Sequence, residues 1–229
     1  MNIINLESLE GIPNSYIEKL AAFRQEFLDY EFLEELDGNI AIQELIYNIN
    51  QFCCENYIIG FHFTRADPKL ILMNGLLSRT GQEIRKDFLT NYGNKFNVDE
   101  IEEMKSAWKN GFDEIDVEAR DNRIFFNFTK EGLRNGGADL LLKNIGGEQV
   151  YRPLCRNKKL QAKIQNLGVP LILKCTLIPS NIKTYIEHPW GKIAMSSFHR
   201  KINTNAFQTD QDGNQRIPVL PDSIEIIEV

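Results

Sequence analysis

The chain has 229 residues, which suits one domain, or one domain with a helical extension. Hydrophobic residues make up 42% and charged residues 25%, so the composition is that of a globular protein and excludes a disordered or fibrous class. The formal net charge of −6 provides no dominant basic surface for duplex DNA.

Signals for export and for membrane insertion are lacking. Met1–Leu6 has no basic segment, and no stretch approaches the roughly 18 to 20 apolar residues that span a bilayer. The four cysteines form neither a C-x-x-C pair nor a zinc-binding spacing. We therefore expect a cytoplasmic protein with reduced thiols and no association with a membrane.

The first 55 residues are predicted to form two helices. A first set of apolar residues recurs at spacings of three and four, which places them on one helix face. These residues are Tyr16, Leu20, Phe23, Phe27 and Tyr30. Gly38 favours a helix end, and a second apolar face runs from Ile42 to Phe52. We predict that residues 1–55 are a helical extension packed on a domain of residues 56–229.

The rest of the chain is predicted to contain strands separated by short helices. Tyr57–Thr64 is rich in β-branched and aromatic residues, which favours a strand. Asp67 and Pro68 suit the N-cap and first position of a helix that ends at Gly75. A polar surface loop is predicted at residues 196–216. Further strands are predicted at 123–128, 169–178 and 223–229, and further helices at 97–110 and from 129 onward with a break at 136–137. Because helices come first and no regular βαβ order follows, the predicted fold class is α+β.

His62 lies in the middle of the first predicted strand, between Phe61 and Phe63. Because strand side chains alternate between two faces, His62 and Thr64 share the face opposite the phenylalanines. An imidazole on that less apolar face is able to point into a ligand cleft. The alternative is a core histidine that is hydrogen-bonded to a backbone carbonyl.

Glu148 follows two glycines, Gly146 and Gly147, and precedes Val150–Tyr151, which we predict to be strand. Glycines allow a sharp turn and a close approach of the backbone to a ligand. A carboxylate at the mouth of such a turn is placed to meet a substrate. The alternative is a surface glutamate at a helix-to-strand turn.

A third polar segment follows Gly75. Ser78 offers a hydroxyl and Arg79 a planar guanidinium suited to phosphate, but the segment matches neither a Walker loop nor a G-x-G-x-x-G fingerprint. Phe126 and Phe128 are candidates for a stacking surface or, alternatively, for core residues. The chain has three histidines, so a histidine-rich metal centre is not predicted.

The order of these segments resembles the ADP-ribosyltransferase superfamily. There, a strand bearing H-x-T precedes a short helix that ends in G-L, and here His62, Thr64 and Gly75–Leu76 stand in that order. R-I-F-F-N-F resembles the second strand of that fold, and G-G-E, ending at Glu148, resembles the turn that presents the catalytic glutamate. The resemblance covers residues 57–151. The pattern is similar to bacterial toxin-like and phage-defence branches, including the DNA-modifying DarT-like enzymes.

The resemblance implies a split-sheet α+β fold and an enzyme that transfers ADP-ribose from NAD with release of nicotinamide. Glu148 is the implied catalytic residue. The implied NAD-binding residues are His62, Thr64, Arg65, Ser78, Arg79, Phe126 and Phe128. The acceptor is left open between protein and nucleic acid, and an antitoxin or a regulatory protein is a further partner that this branch suggests.

Other interpretations stand beside this one. An RNA 2′-phosphotransferase of the same fold also uses NAD, but it is expected to carry more basic residues than a chain of net charge −6. A degenerate binding module would bind a nucleotide or a protein without turnover, and the presence of both His62 and Glu148 argues against it. In a plain α+β structural domain, all these residues would serve packing or the surface.

Overall fold

The computed structural model describes residues 1–209 and 211–228 and contains both helices and strands, which confirms the α+β class. The strands are β1 (Ile3–Ile4), β2 (Tyr57–Ala66), β3 (Ile124–Phe126), β4 (Val169–Leu177), β5 (Gly213–Gln215) and β6 (Ile224–Glu228). They form a split arrangement of two sheets, with strand orders β1-β2-β4-β6 and β3-β5. In the first sheet, β1 runs parallel to β2, with Ile3 opposite Tyr57 and Ile4 opposite Ile58.

Helices account for most of the remaining regular structure. The α-helices are α1 (Asn14–Ala21), α2 (Arg24–Asp29), α3 (Ile40–Cys54), α4 (Pro68–Asn74), α5 (Gly81–Tyr92), α6 (Val98–Asn110), α7 (Glu114–Arg120), α8 (Glu131–Arg134), α9 (Asp139–Lys143), α10 (Glu148–Tyr151), α11 (Lys158–Gln165) and α12 (Pro189–Ile202). Among the helices of the described residues, none has the length and apolar character that a bilayer crossing requires.

The chain divides into two compact units, each built from three separate segments. The first unit contains Met1–Phe61, Phe125–Arg134 and Cys175–Gln215. The second unit contains His62–Ile124, Asn135–Lys174 and the chain from Arg216 onward. The residues predicted as an N-terminal extension therefore belong to the same unit as two later segments. The boundary between residues 55 and 56 stays a prediction.

In the first unit, α3 forms as predicted and packs against α12. The Asn39 side chain caps α3 by accepting hydrogen bonds from the Ala41 and Ile42 amides. A Cβ atom at Gly191 would overlap the Ile46 carbonyl, so glycine lets the two backbones approach closely. The buried face of α3 consists of Ile42, Leu45, Ile46, Ile49, Asn50 and Cys53.

Two predictions in the first unit differ from the structure. The apolar face predicted from Tyr16 to Tyr30 is split between α1 and α2, with a break after Ala21. The predicted surface loop at residues 196–216 is wrong over its first part, because α12 continues to Ile202 and buries the polar residues Ser196, Ser197 and His199. The Ser196 hydroxyl accepts from the Thr209 amide at 2.7 Å, so the burial of this polar residue is compensated by a hydrogen bond.

In the second unit, the predicted helix start at Asp67 is confirmed, since its side chain accepts from the Lys69 amide. The unit has its own core, contributed mainly by α5, α6, α10 and α11. The core residues are Phe88, Phe96, Met104, Trp108, Ile145, Val150, Leu154, Leu160 and Ile164. The strand predicted at Val150–Tyr151 is wrong. These residues lie in α10, where both of their amides donate hydrogen bonds to the Gly147 carbonyl.

A buried carboxylate ties α6 to α11. Glu100 is 4% exposed, and its carboxylate forms salt bridges with the ammonium groups of Lys163 at 2.7 Å and Lys159 at 3.2 Å. The Asn97 amide also donates to this carboxylate. The hydrogen bond from Lys163, followed by that from the Asn97 backbone, lowers the pKa of Glu100 to about 2.

This pairing predicts an acid-sensitive contribution to stability. The folded pKa of Glu100 lies at about 2, below the roughly 4.3 of an unfolded glutamate. The stabilisation that ionised Glu100 provides is therefore complete at pH values above the pKa of the unfolded glutamate, and it is lost as pH falls from about 5 to about 2. Glu100→Gln should lower the urea midpoint of unfolding at pH 7. The difference between the midpoints of the variant and the wild type should disappear at acid pH.

The matched control is Glu102→Gln on the same helix. Its side chain is 65% exposed and pairs with Lys105, so its loss should change the midpoint little at any pH. An equal effect of the two variants at pH 7 would contradict the assigned role of Glu100.

Candidate functional site

Strand β2 presents His62 and Thr64 as the sequence predicted. Phe61 and Phe63 are buried, whereas His62 and Thr64 are only partly buried. This alternation places the imidazole and the hydroxyl on the same face of the strand. The second unit begins at His62, so both side chains belong to it.

Arg65 has a structural partner set that sequence reasoning missed. Its Nε donates to the Leu167 carbonyl at 2.7 Å, and a terminal nitrogen donates to the Leu142 carbonyl at 3.3 Å. Arg65 also forms an isolated parallel bridge with Ile145. The guanidinium that was expected to contact the nucleotide therefore holds three chain segments of the second unit together.

Glu148 stands directly after a turn that requires glycine. Gly146 and Gly147 have φ values of 82° and 65°, in the left-handed region that disfavours side chains. A Cβ atom at Gly146 would also overlap the Val150 side chain. Glu148 is the first residue of α10, and its side chain is 46% exposed. The turn therefore presents the carboxylate to solvent, which fits both the predicted substrate-facing glutamate and the alternative of a surface glutamate.

An ion-pair chain orients this carboxylate. Arg120 Nε donates to Glu148 Oε2 at 2.9 Å, and another nitrogen of Arg120 donates to Asp116 at 2.8 Å. Arg152 donates to the same Asp116 oxygen at 2.5 Å. The hydrogen bond from Arg152 is the largest cause of a lowered pKa of Asp116. Asp116 is therefore a stable anionic anchor for the arginine that holds Glu148.

The structure also brings Glu148 close to the segment that contains Ser78 and Arg79. The Gly81 amide donates to Asp121 Oδ1 at 2.8 Å, and the Gln149 side chain donates to the same oxygen at 3.4 Å. The Asn122 amide donates to the Arg79 carbonyl at 2.9 Å. We call Arg120, Asp121, Glu148 and Gln149 the Glu148 cluster, which joins the polar loop to the G-G-E turn.

The cluster rests on buried polar contacts. Gln149 is 7% exposed, and its side-chain oxygen accepts from Arg85 at 2.9 Å. Sequence reasoning missed Arg85, Arg120, Asp121 and Gln149. The one available signal was the four-residue spacing of Asp116 and Arg120, which favours an ion pair on a helix.

Two predicted phosphate ligands differ in their surroundings. Arg79 is ion-paired with Asp87, and its side chain is 30% exposed. Ser78 is partly buried in the loop before α5. The Arg79 guanidinium therefore has a protein partner that a bound phosphate would share or replace.

Phe126 and Phe128 lie in the core of the first unit. They are 1% and 0% exposed, and the Phe128 ring packs edge-on against Trp190 at a centroid distance of 4.7 Å. This burial agrees with the alternative interpretation of the two phenylalanines as core residues. In this conformation neither ring is open to a ligand.

Metal-ligating groups do not converge in the described residues: no set of three histidine, cysteine, aspartate or glutamate side chains is placed to hold an ion. Comparisons of the chain with protein-family models, with curated proteins and with solved structures found no match.

Gly81 provides a direct test of the contact between the polar loop and the Glu148 cluster. A Cβ atom at Gly81 would overlap the Gln149 side-chain oxygen and crowd Arg85. Gly81→Ala should therefore displace the Gln149 side chain from Arg85 and Asp121 and destabilise the protein by about 1 kcal/mol, measured by urea unfolding.

The control for this test is Gly93→Ala. A Cβ atom at Gly93 would meet no other atom within 4 Å, so this variant should stay within about 0.5 kcal/mol of wild type. An unchanged stability of Gly81→Ala would show that Gln149 moves freely and does not link the two segments.

Proposed function

We propose that the chain is an NAD-dependent ADP-ribosyltransferase in which Glu148 is the catalytic carboxylate. The observation that carries this proposal is the presentation of Glu148. Two glycines of positive φ place it at the start of α10, its side chain is 46% exposed, and Arg120 fixes one of its oxygens. An exposed carboxylate that is held in one orientation is what catalysis at a bound substrate requires.

The chemistry requires a single well-placed carboxylate. The bond between ribose C1′ and the nicotinamide nitrogen breaks with its electron pair moving to the ring, so the cationic pyridinium leaves as neutral nicotinamide without a general acid. Positive charge then develops on the ribose, as it does in glycoside hydrolysis. Glu148 would stabilise that charge and accept the proton of the attacking acceptor. The acceptor lone pair forms the new bond to C1′.

His62 and Thr64 are proposed to bind the dinucleotide. They share one partly buried face of β2, where an imidazole and a hydroxyl provide hydrogen bonds to ribose or phosphate oxygens. Ser78 and Arg79 are proposed to contact the pyrophosphate, since their loop is joined to the Glu148 cluster through Asn122 and Asp121. The proposal leaves the acceptor as a protein or a nucleic acid, with an antitoxin or regulator as a further partner of a toxin-like enzyme.

Replacement of the carboxylate tests the proposal directly. Glu148→Gln keeps the side-chain shape but removes the charge that would stabilise the developing cation. Nicotinamide release from NAD should fall by about 10² to 10³, measured by chromatography with the purified chain. NAD binding measured by calorimetry should change much less than the rate.

The matched control is Glu118→Gln, which removes an exposed carboxylate of α7 and should release nicotinamide at the wild-type rate. A wild-type chain that neither binds NAD nor releases nicotinamide would overturn the proposal. Binding of NAD without release, with or without protein and nucleic-acid acceptors, would favour a binding module.

Arg120 is proposed as a positioning residue for Glu148. Arg120→Lys keeps the positive charge but cannot hold Glu148 and Asp116 together through two nitrogens of one planar group. Misplacement of the carboxylate should lower kcat by about 10- to 100-fold while the KM for NAD stays nearly constant.

Arg156→Lys, at an exposed arginine, is the control and should leave both constants unchanged. A rise in KM without a fall in kcat would instead assign Arg120 to NAD binding.

A further inference from the structure

An exposed aromatic patch lies on the first unit. It consists of Leu28, Tyr30, Phe32 and Phe207, which we call the aromatic patch, with exposed fractions of 45%, 41%, 49% and 61%. The rings of Phe32 and Phe207 stack, with centroids 6.0 Å apart and planes inclined by 28°. Single exposed apolar residues are common, but contiguous ones indicate a binding surface.

The backbone beneath the aromatic patch is held in place by hydrogen bonds. The Tyr30 carbonyl accepts from His199 Nε2 at 3.0 Å and from the Asn203 side chain at 2.8 Å. The Glu31 carbonyl accepts from the Phe207 amide at 2.8 Å.

Inward-facing side chains add to this support. Phe27, Leu33 and Leu36, which flank the exposed residues in the sequence, are at most 5% exposed. The exposed rings therefore project from an anchored segment. A partner that covers them does not have to order a mobile loop, which lowers the entropic cost of binding.

Negative charge dominates the chain segment that carries Leu28, Tyr30 and Phe32. Residues 25–64 contain eight carboxylates and no lysine or arginine. Asp29, Glu31, Glu34 and Asp37 are exposed within the same segment. A surface of this charge attracts basic partners and repels nucleic acid. It also opposes a symmetric contact with a second copy, in which the same acidic residues would face each other.

We propose that the aromatic patch docks a basic, amphipathic segment of another protein. Apolar side chains of that segment would cover Phe32 and Phe207, and its lysines or arginines would lie against the surrounding carboxylates. Aromatic residues at the centre of a charged rim are the usual energetic centre of a protein interface. This inference is independent of the proposed enzymatic activity.

The probe is a lysine-rich amphipathic helical peptide with leucines on one face, and its counterpart has glutamate in place of each lysine. The wild-type chain should bind the lysine peptide, measured by fluorescence anisotropy, and should not bind the glutamate peptide. Raising the ionic strength from about 0.1 M to 1 M should weaken binding, because the Debye length falls from about 10 Å to about 3 Å. Phe207→Ser should weaken binding at least about tenfold.

The matched control is Ile115→Ser, at a residue that is 78% exposed on α7 and should leave the affinity unchanged. Thermal melts of both variants verify that they are folded. Absence of binding to the lysine peptide, or equal binding by wild type and Phe207→Ser, would overturn the proposal. Two further results would also overturn it: a wild-type dimer that Phe207→Ser converts to monomer, and Phe207-dependent binding of a DNA or RNA oligonucleotide.

Discussion

The hydrogen bond from the Trp108 indole to the Val150 carbonyl, 2.9 Å long and buried, fixes the position of α10 in the second unit. A helix of four residues has no stability of its own, so its position depends on its contacts. Val150 is fully buried beside Trp108, and the Gly146–Gly147 turn allows the chain to enter the core at this point. Glu148 and Gln149 are placed by this anchoring, one exposed and one buried.

Elements with strong local signals were predictable from the sequence. Strand β2 is rich in β-branched and aromatic residues, and α4 has Asp67 as its cap and Pro68 as its first residue. The shared face of His62 and Thr64 followed from the two-residue alternation of a strand. The strand predicted at Val150–Tyr151 failed because two apolar residues fit either a strand or a buried helical turn.

The candidate site was only partly predictable, because its contacts join residues far apart in the chain. Glu148 was identified from its glycines, but its partner Arg120 lies 28 positions earlier and nothing in the local sequence connects them. Arg65 was expected to bind a nucleotide, and in the structure its guanidinium donates hydrogen bonds to the carbonyls of Leu142 and Leu167. Backbone carbonyls carry no sequence signature, so such a role is visible only in three dimensions.

The division of each unit into three chain segments has a consequence for how the protein is made. Neither unit has all its parts until the chain beyond Lys174 exists, because the first requires Cys175–Gln215 and the second requires the residues from Arg216 onward. During synthesis from the N-terminus, completion of either unit therefore has to wait for the last quarter of the chain. Until those residues are synthesised, both units of the nascent chain lack part of their structure, so apolar side chains that the folded protein buries stay accessible to solvent.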